Sequence, residues 1–378
     1  MVKTLEKVPE KTWDSVLAEL AERREEFHEL GYIPRDYIDS LKEIGIYRAS
    51  APQQFGGEPM PPAEFLKIIE KVARVDGSAG WVVAFGTALT YLGSLPLSTQ
   101  AEIYKDGPDV VYAGGLYPMQ PATRTATGFK VSGHWKFASG CMGADWIGVG
   151  LVDSNGENKP RAALVPFDQV EIVKDWDVNG MHATGSFDTV LKDVDIPYEW
   201  TFVRGGASNI DEPLYRYPLL GYQAQAHSAV ALGVARAALD FVHESGAYTG
   251  ITGAPPLADR PYFRLQYSKA YAALHSARSF YYDVAEQVWE TVTRGDTVTD
   301  EQKALVRLSA TNMADVASQV VHDLVMISGS KIINKSHPMN LLRLDAPVPQ
   351  LHALLSQSTY DAAGAVLMNQ PSTLPGFL

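Results

Sequence analysis

Val131-Ser132-Gly133-His134-Trp135-Lys136-Phe137-Ala138-Ser139-Gly140 is the stretch on which the reading of this chain turns. Val131, Trp135 and Phe137 alternate with polar residues, and Thr127-Gly128 and Ser139-Gly140 bracket the run, which predicts a β-strand. Aromatic side chains two residues apart leave a regular strand on the same face. Trp135 and Phe137 therefore serve either as ordinary core or as a wall for a flat ring, with Ser139 at the ring's edge. Ser139 itself is either a turn serine bonding its own backbone or a hydrogen-bond donor to a ligand.

Outward from this stretch, the apolar period is two from Val110 to about Phe202, with turns at Thr127-Gly128, Ser154-Asn155-Gly156 and Asn179-Gly180. Strands are predicted at 110–115, 129–137, 146–152, 161–167, 170–174 and 186–194, and short strands at this spacing suit a compact β-barrel or sandwich. Before them the pattern is helical. Leu17, Leu20, Ala21, Phe27 and Leu30 share one face, and Gly31 ends the run. A second helix carries Tyr37, Ile38, Leu41 and Ile44, and a third runs from Pro61 to Val75. The nearly all-apolar Ala79–Leu92 reads as a buried helix, and Ser98–Tyr104 as a short one. Beyond Arg204-Gly205-Gly206, long helices are expected at about 213–247, 259–293, 299–329 and 340–368. Small-residue faces such as Ala224, Ala231, Ala235 and Ala238 suit close packing, so this part reads as a four-helix bundle. The expected domains are an all-α region 1–108, a β-barrel domain 109–205 and a four-helix bundle 206–378, an α+β chain.

Composition narrows the functional classes. A chain of 378 residues with 46% hydrophobic and 20% charged residues is globular and long enough for two or three domains. A net charge of −12 without a basic run argues against nucleic-acid or anionic-membrane partners. Met1 to Trp13 is charged and lacks an apolar core, so no signal peptide is expected, and no stretch is long and apolar enough to span a membrane. The single cysteine, Cys141, excludes an internal disulfide or a zinc-thiolate cluster; no metal site is expected, and a reducing cytoplasm is the default location. G-x-G-x-x-G, P-loop and H-E-x-x-H motifs are absent, so a nucleotide cofactor would not sit in a Rossmann crevice.

In this order the segments resemble the acyl-CoA dehydrogenase superfamily, and more narrowly its two-component, reduced-flavin-dependent monooxygenases. Gly133–Gly140 and the following Asp145-Trp146 are similar to that branch's G-x-W-x-F-x-S-G strand beside the flavin. Val178-Asn179-Gly180-Met181-His182-Ala183-Thr184-Gly185-Ser186 is similar to G-M-R-x-T-G-S, followed by Asp193-Val194-Asp195-Ile196-Pro197 for D-V-x-V-P. Ser78-Ala79-Gly80-Trp81 resembles S-x-G-W. His337-Pro338-Met339, Arg343 and Asp345 resemble S-P-L…R-D, with His352 seven residues past that Asp. The likeness covers nearly the whole chain.

The resemblance implies an oxygenase component that takes reduced FAD or FMN from a separate flavin reductase and uses O2, through a C4a-hydroperoxide, to hydroxylate or epoxidise a small aromatic ring such as an indole, phenol or polycycle. It implies Ser139 at the flavin N5/C4a edge and Trp135 and Phe137 beside the ring. Thr184, Ser186, Ser328, Gly329 and Ser330 would meet flavin phosphate or ribityl oxygens, partly across a subunit boundary in a homotetramer or homodimer. Trp81, Met142 and His182 would face the substrate. His352 is the expected acid–base residue, since an ordinary imidazole titrates near neutrality; its bland reading is a helix-face histidine.

Departures sort the branches. Acyl-CoA dehydrogenases need a carboxylate base. Here the usual turn reads Gln350-Leu351-His352-Ala353-Leu354, and the alternative position falls on Gln223. The dehydrogenase R-x-x-F-G grip on the pyrophosphate is replaced by Thr249-Gly250-Ile251-Thr252-Gly253. A flavin-retaining dehydrogenase, an N- or S-oxygenase on the same scaffold, and a non-catalytic helical scaffold are the alternatives. Cys141-Met142-Gly143-Ala144 stands where many phenol hydroxylases have Asp-His, which favours a more apolar substrate.

Overall fold

A computed structural model describes residues 11–153, 160–203, 205–249 and 253–378. The expected turn at 154–156, positions 250–252 of the 249–253 segment and most of the Met1–Trp13 stretch lie outside them. The first block is helical: α1 (Trp13–Leu30), α2 (Arg35–Glu43), α3 (Pro62–Val75), α4 (Gly77–Ala84) and α5 (Leu97–Ile103). Thr12 and Ser15 close a capping box at the start of α1, and Gly31 ends it in the left-handed conformation at φ 73°. The single helix expected over 79–92 changes type. After α4 the chain continues as a 3-10 helix, Phe85–Ser94. Thr87 and Thr90 donate their hydroxyls three residues back, to Ala84 and Thr87 carbonyls, which suits the tighter turn.

The middle block is one seven-stranded sheet: β1 (Tyr112–Arg124), β2 (Gly128–Ala138), β3 (Trp146–Asp153), β4 (Arg161–Pro166), β5 (Glu171–Val173), β6 (Phe187–Pro197) and β7 (Thr201–Val203). The order is β5-β6-β2-β1-β3-β4-β7, with β1 and β3 parallel and the other pairs antiparallel. The sheet is open, which corrects the expected barrel. Its margins, β5 and β7, are three residues each and, among the described residues, pair with one neighbour only, so the hydrogen-bonded circuit a barrel needs is not closed.

The last block holds α6 (Pro213–Arg216) and three long helices, α7 (Leu219–Glu244), α8 (Pro261–Thr293) and α9 (Asp300–Ile327). The expected fourth long helix is instead α10 (Pro338–Asp345) and α11 (Ser358–Leu367), separated by 3-10 turns at Pro349–Leu351 and Ala353–Leu355. Pro347 and Pro349 remove backbone donors and restrict the residues before them. The four-helix bundle is thus corrected to three long helices and a broken fourth segment, and the break places His352 on a turn.

α3 and α4 pack on α7, the most buried of the three long helices. The approach is close: a Cβ on Gly233 would stand 2.5 Å from the Glu70 carbonyl oxygen, and one on Gly80 2.5 Å from the Ala73 Cβ. Glu70 of α3 is buried and bonds Arg236 of α7 and both Arg278 and Tyr282 of α8. Burial pushes its carboxyl up, but these partners prevail and hold it below the usual range. This packing carries α4 and its Trp81 against the face of α7.

Candidate active site

β2 pairs with β6 with two register shifts, one between Val131↔Val194 and Gly133↔Leu191 and a second between Trp135↔Thr189 and Ala138↔Phe187. The second decides the site. The irregularity is a bulge, and Phe137 within it has φ 64°. It breaks the alternation, so Trp135 and Phe137 do not share a face as expected. Trp135 is 0% exposed, with its indole N–H on the Gly150 carbonyl at 2.7 Å; it is core, which corrects its expected place beside a ring. Phe137 is 58% exposed and meets Trp176 edge-on at 6.1 Å, leaving one aromatic ring open to a ligand.

Just past Phe137, buried hydroxyls form a chain. Trp81 Nε1 donates to Ser139 Oγ at 3.2 Å; Ser139 and Ser186 hydroxyls are 2.7 Å apart, as are those of Ser186 and Thr184; Thr184 Oγ1 donates to the Met181 carbonyl at 2.9 Å. Thr184 and Ser186 come from the turn entering β6. Two neighbouring bonds anchor that turn: Ala183 N–H donates to Ser78 Oγ at 3.1 Å, and Gly140 N–H to the Thr184 carbonyl at 2.8 Å. Thr184 and Ser186 are buried and spend their hydroxyls here, beside the residue expected at the flavin edge.

On its other side Trp81 meets two histidines. His227 of α7 lies edge-on to Trp81 at 4.5 Å and to Phe85 at 5.7 Å. His352 stacks on His227 at 4.3 Å and 25° and is edge-on to Trp81 at 6.0 Å. Their tautomers follow from their backbone partners. His227 Nδ1 faces the Gln223 carbonyl at 2.6 Å, which can only accept, so the neutral ring carries its proton there and a lone pair on Nε2. His352 Nδ1 accepts the Leu354 N–H at 3.2 Å, so its proton is on Nε2. The neutral rings thus carry a lone pair on His227 Nε2 and a hydrogen on His352 Nε2. His227 is not among the residues the sequence motifs single out; the available signal was its position one helical turn beyond Gln223, the alternative base position.

The His352 turn is braced by Asp315 of α9, which accepts from Gln350, Gln357 and Tyr360 at 2.8–2.9 Å. Gln223 is buried, its side-chain amide 3.0 Å from the Thr87 hydroxyl. Met142 is half-buried in the short turn after Ser139. Cys141 is buried, and burial pushes its thiol up to about 12, an inert side chain. His182 stacks on His28 at 6.2 Å. Ser328 donates to the Leu324 carbonyl at the end of α9, with Gly329 and Ser330 exposed beyond it. Among the described residues no hydrogen bond joins that turn to the hydroxyl chain.

Below the site, Asp345 links two blocks. One oxygen accepts the Met181 N–H at 2.6 Å, and the other has no hydrogen-bond partner among the described residues. Asp76 lies nearby, capping α4 and bonding His28 at 2.7 Å. Complete burial pushes the Asp345 carboxyl up to about 7, with the Asp76 charge adding to the rise and the Met181 N–H and His28 opposing it. The folded chain holds this proton more tightly than the unfolded one, so its stabilising contribution is full below about 3.8 and is lost as pH rises through about 7. Asp345→Asn keeps an acceptor for Met181 and cannot ionise. Relative to the parent, its unfolding free energy is expected to improve by about 2–4 kcal/mol between pH 4 and 8. Urea titrations across that range check this; a pH-independent difference would sink it.

Comparison with known proteins places this geometry. Residues 5–98 match the family model "Acyl-CoA dehydrogenase, N-terminal domain" and 225–357 match "Acyl-CoA dehydrogenase, C-terminal domain". The chain belongs to the acyl-CoA dehydrogenase family. It is 46% identical over 358 residues to indole-3-acetate monooxygenase of Pseudomonas putida, covering 93% of this chain and 91% of that one. It is 25% identical to the flavin-dependent monooxygenase oxygenase subunit HsaA of Rhodococcus jostii, over 90% of this chain and 92% of that one. The solved HsaA monooxygenase from M. tuberculosis shares the fold with TM-score 0.88 at 23% identity, covering 96% and 97% of the two chains. Within the family this chain is a flavin-dependent aromatic monooxygenase, an oxygenase component.

The residues present fit a reduced flavin. Ser139 Oγ, with one lone pair taken by Trp81, keeps a second for a ligand, and Phe137 offers an exposed ring beside it.

Proposed function

We propose that this enzyme oxygenates an indole, with indole-3-acetate or a close analogue as substrate, using reduced FMN or FAD received from a separate reductase. The observation that carries the reading is one contiguous group in which buried Trp81 joins buried Ser139 to buried His227 and half-buried His352. Reduced flavin, when bound, supplies the activation of O2 and the transfer of one oxygen atom. The chain's own residues do the rest. Phe137 walls the ring and Ser139 meets its polar edge. Trp81 and Phe85, both against His227, would supply an apolar, water-poor wall, with Met142 on the substrate side, and such a wall protects a reactive oxygen species from hydrolysis. His227 Nε2 accepts the substrate N–H and orients the ring, and His352 Nε2 holds the proton that the departing oxygen requires. Gln223 and the 350–354 turn carry no carboxylate, so the α-proton abstraction of a dehydrogenase has no base at either position.

A homodimer or homotetramer in the cytoplasm completes the proposal. The Ser328–Ser330 turn, exposed at Gly329 and Ser330, would then serve a neighbouring copy's flavin, and His182, stacked on His28, would border the substrate entrance.

The test is anaerobic loading with reduced flavin, then O2 with and without indole-3-acetate, scoring oxygenated product against hydrogen peroxide. Product in the presence of the indole supports the reading. Complete release of peroxide with every indole tried, or turnover of acyl-CoA thioesters, would defeat it. In the same assay Ser139→Ala is expected to raise the ratio of peroxide to product by roughly tenfold, the effect of losing one buried hydrogen bond. An unchanged ratio removes Ser139 from the site.

A further inference from the structure

We infer that Trp81, Ser139, Ser186 and Thr184 form a one-way hydroxyl relay that makes the flavin site selective for redox state, holding reduced flavin and rejecting oxidised flavin. The inference rests on the flavin-monooxygenase reading above, which puts Ser139 at the N5 edge.

The direction of the relay is fixed at both ends. At one end stands an indole N–H, which can only donate; at the other, the Met181 carbonyl, which can only accept. A hydroxyl has one hydrogen. Thr184 gives its hydrogen to Met181, so it must accept from Ser186; Ser186 must then accept from Ser139. No reversed arrangement keeps all four bonds. Ser139, Ser186 and Thr184 are 5%, 4% and 1% exposed, so water does not compensate a broken link.

Ser139 therefore faces a ligand with a lone pair and with its hydrogen already committed. Reduced flavin carries a hydrogen on N5, which donates to that lone pair. Oxidised flavin carries a bare lone pair on N5, which opposes it. To bond the oxidised form, Ser139 would have to turn its hydrogen away from Ser186 and leave that buried hydroxyl without a donor. The consequence fits a component that receives flavin reduced and must release it oxidised. Ser186, Thr184 and Trp81 act through Ser139 and are positioning residues.

Anaerobic titration of the full-length protein with oxidised and reduced FMN, and with the two forms of FAD, reads the selectivity as a ratio of dissociation constants. The wild-type chain is expected to prefer reduced flavin by at least roughly tenfold. Thr184→Val is nearly isosteric and removes the relay's last hydroxyl, so Ser186 can turn and Ser139 becomes free to donate. Its preference should shrink roughly five- to tenfold, mainly through tighter binding of oxidised flavin, and Ser186→Ala should do the same. Thr184→Ser keeps the hydroxyl and should keep the ratio. A merely structural role would weaken both redox forms together and leave the ratio alone. Equal affinity for the two forms in the wild type, or a ratio unchanged in both Thr184→Val and Ser186→Ala, overturns the relay while leaving the flavin site standing. Failure of the wild type to bind either form overturns both.

Discussion

His352→Ala is expected to lower coupled product formation by about 100-fold, within the usual range for a positioned acid–base group, with little change in reduced-flavin affinity. The argument is geometric. The Leu354 N–H fixes Nδ1 as an acceptor, so the proton stands on Nε2, and His227 stacks on the ring at 4.3 Å. Asp315 holds the turn from behind through Gln350, Gln357 and Tyr360. His227→Gln should behave differently, raising the KM for indoles more than it lowers turnover and sparing substrates without a ring N–H. Steady-state assays with indole-3-acetate and its N-methyl analogue separate the two roles. Equal losses for both substrates in the His227 variant would assign that ring to packing alone, and full coupling in His352→Ala would remove it from proton handling.

Trp135→Ala and Phe137→Ala should part company although the residues are two apart. The first empties a fully buried indole site and strands the Gly150 carbonyl, a loss of about 3–5 kcal/mol in stability. The second removes an exposed ring and should change stability by less than about 0.5 kcal/mol while weakening flavin binding by roughly tenfold. Chemical denaturation and flavin titration of the two variants give the contrast. A stable Trp135→Ala that has lost flavin would reverse the assignment of core and wall.

Those two aromatics also show where sequence stopped being informative. Alternation predicted a strand, and β2 is one, but a bulge of one residue moves Phe137 to the opposite environment. Nothing local in the run announces a bulge, because it is set by how β2 must meet β6. The helix–sheet–helix order was legible, since hydrophobic period depends on local geometry. The open sheet was not, because closure depends on which margins meet, and the three-residue β7 carries too little pattern to be seen. The broken last helix was half legible, because Pro347 and Pro349 stand in the sequence where a helix cannot run on undisturbed. In the site, Ser139, Thr184, Ser186, Trp81 and His352 all stood out as motif residues. Their linkage did not, because Trp81 and Ser139 are 58 residues apart and Ser139 and Ser186 are 47 apart. His227 sits in a helix rich in small buried residues, and only the fold brings His352 onto it.

That dispersal has a consequence for how the protein matures. The relay and the histidine pair draw on α4, the end of β2, the entry to β6, α7 and the turn before α11, so no single block of the chain contains them. Contacts this distant in sequence form late, after the entropy of closing long loops has been met. A chain with its helices formed but its blocks undocked would be blind to flavin. Recovery of flavin binding during refolding should therefore lag the return of helical signal, making the ligand a reporter of the final docking step. If reduced flavin binds the completed arrangement alone, its supply would also draw late intermediates toward the native state by mass action.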